Sequence, residues 1–144
     1  MANNSQLERD DAFLASAELA EALEHYGSEL TLPAAKVLFN RGDKAHGLYL
    51  LKSGSARLSI PGAIDRSVGS GALLGVPGTL SRGIYSLSAQ LLEEARVLFV
   101  PSERVSKLLA ERPDIGLQMV QLLSREIHAI RERISKLAQS DDKL

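Results

Sequence analysis

The chain has 144 residues, with Lys plus Arg 17 and Asp plus Glu 18, for a formal net charge of −1. That balance supplies no broad basic field for gripping a phosphate backbone. The absence of cysteine excludes disulfides, thiolate metal sites and cysteine nucleophiles. Hydrophobic residues make up 44% and aromatic residues only 4%, so a folded domain with an aliphatic core is expected. No apolar run reaches the roughly 18–20 residues that span a bilayer. The opening, MANNSQLERDD, has neither the charge nor the apolar stretch of a targeting peptide, so a cytoplasmic location is expected.

Residues 1–27 read as a helical segment, with a helix over 5–26 broken in its middle. Ser5 with Glu8 forms a capping-box pattern, and Ser16 can cap a second piece. Leu14, Leu19, Leu23 and Tyr26 recur at helical spacing, and Gly27 follows as a stop. Residues 28–100 change character. Short β-type runs (SELTL, KVLF, GLYLL, SARLSI, RSV, YSLSAQLL and ARVLFV) are divided by turn signals at Pro33, Gly42, Gly54, Pro61-Gly62 and Glu93-Glu94. Short strands at such close spacing predict an antiparallel barrel or double-sheet roll. Residues 101–144 return to helix. Ser102 offers an N-cap for a helix to about Glu111, and Pro113 both breaks it and opens a second helix to about Gln139. About 27 residues at 1.5 Å each span roughly 40 Å, more than a small barrel needs.

That last helix carries Val120, Leu123, Ile127, Ile130, Ile134 and Leu137 at spacings of 3, 4, 3, 4 and 3, a continuous heptad seam. β-branched Val120, Ile127 and Ile134 at the a positions favour a parallel two-stranded coil. Glu126 at g and Arg131 at e carry opposite charges in the register that pairs them across such a dimer. Leu117, Met119 and Leu122 lie off the seam and are free to pack on the chain's own barrel. A homodimer through the last helix is expected.

The segments 32–43, 48–58, 71–75 and 95–101, in this order, resemble the cyclic-nucleotide-binding domain family. The likeness is greatest to the sensor half of bacterial catabolite activator and fumarate–nitrate regulators. The resemblance implies a mainly β fold with flanking helices: a double-stranded β-helix (jelly-roll) followed by a long dimerisation helix. It also implies a site. In nucleotide-binding members a short helix between two strands holds the phosphate through Gly-Glu and, further on, Arg with a small polar residue. Here Gly75 and Ser86 match, but Val76 stands at the glutamate position and Tyr85 at the arginine position. The two base-contacting positions of the long helix correspond to Ile130 and Arg131. Valine accepts no hydrogen bond and tyrosine carries no cation, so a buried phosphodiester would go unpaired. Arg82 is the nearest substitute cation. Tight binding of cyclic AMP is therefore not expected. Two alternatives stay open: the pocket is filled, or it takes another small molecule such as an acid.

His25, His46 and His128 are scattered and make no metal motif. No nucleophile elbow, HExxH helix or Walker loop is present, so no enzyme is expected. No helix-turn-helix pattern follows the long helix, so this chain alone is not expected to read DNA. Three readings result: a ligand-sensing dimerisation module, the sensor half of a transcription regulator, or a purely structural partner-docking module.

Overall fold

Alternation along two neighbouring strands divides the core in two. In β4 (Gly47–Leu51) and β9 (Ala95–Pro101), Leu48, Leu50, Leu98 and Val100 face one way, while Leu51 and Val97 face the other. Successive side chains of a strand point to opposite sheet faces, so a strand covered on both faces reads as a nearly unbroken apolar run. GLYLL and ARVLFV are such runs, and their antiparallel pairing (Gly47↔Pro101 to Leu51↔Val97) sets the centre of the molecule. Gly47 is required at that pairing, because a Cβ there would lie 2.3 Å from the Val100 carbonyl oxygen.

The computed structural model describes residues 7–142, with side chains described except at 133 and 137–142. Two sheets form the roll. One has the order β1-β6-β5-β8-β3 and the other β2-β9-β4-β7. The remaining strands are β1 (Glu8–Arg9), β2 (Ser28–Leu32), β3 (Val37–Phe39), β5 (Ala56–Ile60), β6 (Ile64–Val68), β7 (Leu73–Leu74) and β8 (Ser88–Leu91). All pairings are antiparallel except β1 with β6. Between the sheets lies a first core that includes Phe39, Leu51, Leu58, Val97, Tyr85 and Leu87. On the other side of β4 and β9, a second core is closed by α1 (Ala17–Leu23), α3 (Ser102–Glu111) and α4 (Pro113–Asp142). Helix α2 (Val76–Ser81) joins β7 to the turn before β8.

The N-terminal helix expected over 5–26 is divided three ways. Glu8 and Arg9 pair as a strand with Arg66 and Ser67, aided by an Arg66–Glu8 ion pair. A single 3-10 turn follows at Asp11–Phe13, capped by the Asp10 carboxylate accepting from Ala12 N at 2.9 Å. Only Ala17–Leu23 is α-helix, and Ser16 caps it as expected, accepting from Leu19 N at 3.2 Å. An available edge on β6 outweighs helical propensity at Glu8 and Arg9. Ser5 lies outside the described residues. At α3, Pro101 takes the N-cap position and Ser102 is the first helical residue.

Helix α4 is fastened to the rest by its inner stripe. Ile115, Met119, Leu122 and Glu126 are buried, at spacings of 4, 3 and 4. The segment before and within α1 clamps it further. The Ser16 hydroxyl donates to Gln118 Oε1, and Arg125 donates to the Leu14 carbonyl at 3.1 Å. Leu117, expected to pack inward, is 61% exposed instead, because it stands on the opposite face from Met119. Leu122→Ala is expected to lower the unfolding free energy by about 2–5 kcal/mol, the cost of a core truncation, while Val120→Ala on the outer face changes it by roughly 0.5 kcal/mol or less. Urea titration of both variants checks this.

Candidate ligand site

Gly75 begins the site. It caps α2 with φ +89, in the left-handed region that glycine enters without steric cost. A Cβ there would come within 3.0 Å of Tyr85 Cε1 and 3.2 Å of the Gly47 carbonyl. This brings the α2 N-terminus against Tyr85. The Tyr85 hydroxyl donates to the Gly47 carbonyl at 2.9 Å and accepts from the amides of His46 and Gly47 at 3.1 and 3.3 Å. Its ring stacks on Phe39, with centroids 3.9 Å apart and planes 13° from parallel. Tyr85 thus ties the start of β4 to the turn before β8.

The cup of the site is a cavity of about 10 Å³, room for about one water. Gly75, Pro77, Tyr85 and Ser86 line it, with Phe13, Phe39 and Glu126. Of the residues expected at the ligand, the structure gathers Gly75, Tyr85 and Ser86 here. Val76 does not line this space; it is buried in the second core, beneath β4 and the helices. Arg82 does not enter either. It ends α2 in a left-handed turn, φ +57, and reaches outward to the Ser106 hydroxyl at 3.5 Å. There it borders a separate surface groove of about 380 Å³ with Lys44, His46 and Glu103. Ile130 is half-buried against the first core, and Arg131 is exposed.

Glu126 also differs from its expected place. Expected on the charged flank of a helix pair, it turns inward, is 2% exposed and lines the cup. Its Oε2 is sealed from solvent and has no hydrogen-bond partner among the described residues. Burial pushes its carboxyl well above the ordinary range, with Arg125 opposing and Asp10 adding to the rise. The signal was present: Ile115, Met119 and Leu122 form a second stripe beside the heptad seam, and Glu126 is its next member. Among the described residues, no group of three or more histidine or acidic side chains could hold a metal ion.

A fold of two sheets with a short helix at the cup and a long terminal helix agrees with the comparisons. The family model of the cyclic nucleotide-binding domain matches residues 29–112. The chain belongs to the cyclic nucleotide-binding domain family. It is 31% identical over 119 residues to the cyclic AMP receptor protein of Thermus thermophilus, covering 79% of this chain and 55% of that protein. It is 31% identical over 101 residues to the transcriptional activator protein anr of Pseudomonas aeruginosa, covering 67% of this chain and 41% of that one. The solved structure of the Thermus thermophilus catabolite activator protein superposes with a TM-score of 0.71 at 26% identity, over 85% of this chain and 60% of that one. The chain thus spans about half the length of the curated relatives it matches. The family is one of non-enzymatic regulatory domains. No helix among the described residues is long and apolar enough to cross a membrane.

Within this cyclic nucleotide-binding domain, Glu126 makes stability depend on pH. An acid whose folded-state pKa is raised keeps its proton longer in the folded chain than in the unfolded one. Its support for folding is complete below the unfolded value, about 4.5, and is lost as pH climbs toward the higher folded value. The slope is at most about 1.4 kcal/mol per pH unit. Glu126→Gln is expected to remove that slope, so its stability advantage over the wild type grows between about pH 5 and pH 8. Urea midpoints across that range check it, and a constant difference would contradict it.

Proposed function

We propose that this chain is a sensor domain of the catabolite activator and fumarate–nitrate regulator type, paired through α4, whose cup does not hold a cyclic nucleotide tightly. One observation carries the second half. The cup is filled by Tyr85 and Phe39, retains about 10 Å³ and has no Arg or Lys among its lining residues. A cyclic phosphodiester brought there would lose its hydration without gaining a cation. Arg82, the residue that follows α2, is turned toward α3.

Pairing through α4 is supported by the face the helix leaves uncovered. Val120, Ile127 and Ile134 stand at spacings of seven and are 52%, 38% and 49% exposed, with Leu117 continuing the stripe. Leu123 and Ile130 are half-turned toward the chain's own cores, so the partner contact narrows to the a positions and their flanks. Arg131 is exposed beside the stripe; the side chain of Leu137 lies outside the described residues. Glu126 in the cup and Ile127 on the stripe are consecutive residues of one helix. An occupant of the cup would therefore act on the pairing helix directly, biasing two arrangements of the dimer. The relatives are regulators, which supports a cytoplasmic role in transcription control.

The closed cavity also favours a second reading, a structural dimerising module with no ligand. A thermal-shift screen separates the two, since a ligand at 100 times its dissociation constant raises stability by about 2.7 kcal/mol. Sedimentation at micromolar concentration is expected to show a dimer, and Ile127→Glu to give a folded monomer with unchanged circular dichroism. Calorimetry with cyclic AMP is expected to show no saturable heat; submicromolar binding would overturn the reading of the cup.

A further inference from the structure

The cup lacks an anion's partner and contains a cation's. Glu126 reaches into it from α4, buried, with one oxygen unanswered. Leaving a carboxyl so placed costs free energy whichever form it takes: ionised, it is desolvated, and protonated, its Oε2 still lacks a partner. The same cavity is lined by three aromatic residues, Phe13, Phe39 and Tyr85, together with Ser86 and the apolar Leu74 and Leu87. Aromatic rings beside a carboxylate are the surroundings in which proteins hold ammonium groups, through ring quadrupole and charge together.

We propose that the cup takes a small organic cation, a primary ammonium group, with Glu126 as its counter-ion and the rings of Phe13 and Phe39 as its walls. The inference rests on the reading of the cup as a ligand site that has lost its phosphate partner. Its polarity is inverted relative to a phosphate site. The Tyr85 hydroxyl takes no part, being held by Gly47 and His46. The charged groups that face Glu126 are Arg125 on its own helix and Asp10 from the segment packed across it. Helix α2 brings no charged side chain, since Val76–Ser81 contains none.

Two consequences follow from the geometry. An ammonium-bearing chain exceeds about 10 Å³, so its entry must part α2 from α4. Because Glu126 belongs to α4, that movement reaches Ile127 on the exposed stripe. Binding is also a proton exchange. The Glu126 proton leaves to solvent as the ammonium ion arrives, and the O–H bond is replaced by an N–H···O contact with the carboxylate. Affinity therefore rises by up to about tenfold per pH unit while free Glu126 remains protonated.

The test uses n-propylammonium chloride as probe, 1-propanol as its neutral isostere and sodium chloride as the ionic-strength control. With the wild-type chain, the ammonium salt is expected to raise the melting temperature saturably, while the alcohol and sodium chloride do not. Calorimetry in buffers of different ionisation enthalpy is expected to show proton release on binding wherever free Glu126 still holds its proton. Glu126→Gln, which keeps the shape and removes the charge, is expected to lose both the shift and the proton release. An equal response in Glu126→Gln, an equal response to propanol, or no response at all would overturn the cation site. Those outcomes leave the loss of nucleotide binding standing; a saturable response to cyclic AMP would overturn both readings.

Discussion

The placement of α4 across the roll governs everything else in this molecule. A helix of 30 residues cannot bury more than one stripe against a single small barrel. Its remaining apolar side chains must meet solvent or another chain. Here the inner stripe is Ile115, Met119 and Leu122, and it ends at Glu126 over the cup. The outer stripe is Leu117, Val120, Ile127 and Ile134. The same rigid element thus closes the site on one side and offers an apolar seam on the other. Coupling between the two needs no pathway through the barrel, because both are faces of one helix.

The cup shows how one side chain can occupy the interior of a roll. A tyrosine at position 85 has one hydroxyl, and three backbone groups of His46 and Gly47 consume it. Its ring then needs a flat neighbour, which Phe39 supplies at 3.9 Å. The cavity beside Gly75 is about 10 Å³. Gly75 keeps its left-handed turn because Tyr85 and the Gly47 carbonyl press on it from the position where a side chain would begin.

Strands buried on both faces could be read from the sequence. GLYLL is such a strand and ends where its run ends, at Leu51, while SELTL, exposed along most of its length, is legible by its β-type run alone and ends at Leu32. Strand β1 could not, because Glu8 and Arg9 are polar and extended only by pairing with β6. YSLSAQLL reads as one strand, yet the regular ladder takes in only Ser88–Leu91, because Tyr85 exchanges its backbone hydrogen bonds with Gly42 and Asp43 instead. The long helix is a different case. Its heptad spacing is real, but periodicity alone does not say which of two adjacent stripes meets the barrel. Leu123 and Ile130 straddle both. Glu126 was assigned by charge to a partner helix, whereas the stripe of Ile115, Met119 and Leu122 carries it inward.

A buried acid beside an aliphatic core is ordinarily removed by substitution or answered by a partner, because leaving it alone lowers stability. The outward alternative was open in this chain: one residue on, Ile127 is exposed where a charge would be free of cost. The arrangement is therefore the reverse of what stability alone would select, with the apolar side chain facing water and the carboxyl facing the core. Both inversions lie within one turn of α4. An exposed isoleucine is relieved by a second helix, and a sealed carboxyl by a cation or a proton. Under the proposed reading, each relief would fall on the same turn of α4, so an occupant that parts the cup would act on the segment that carries Ile127.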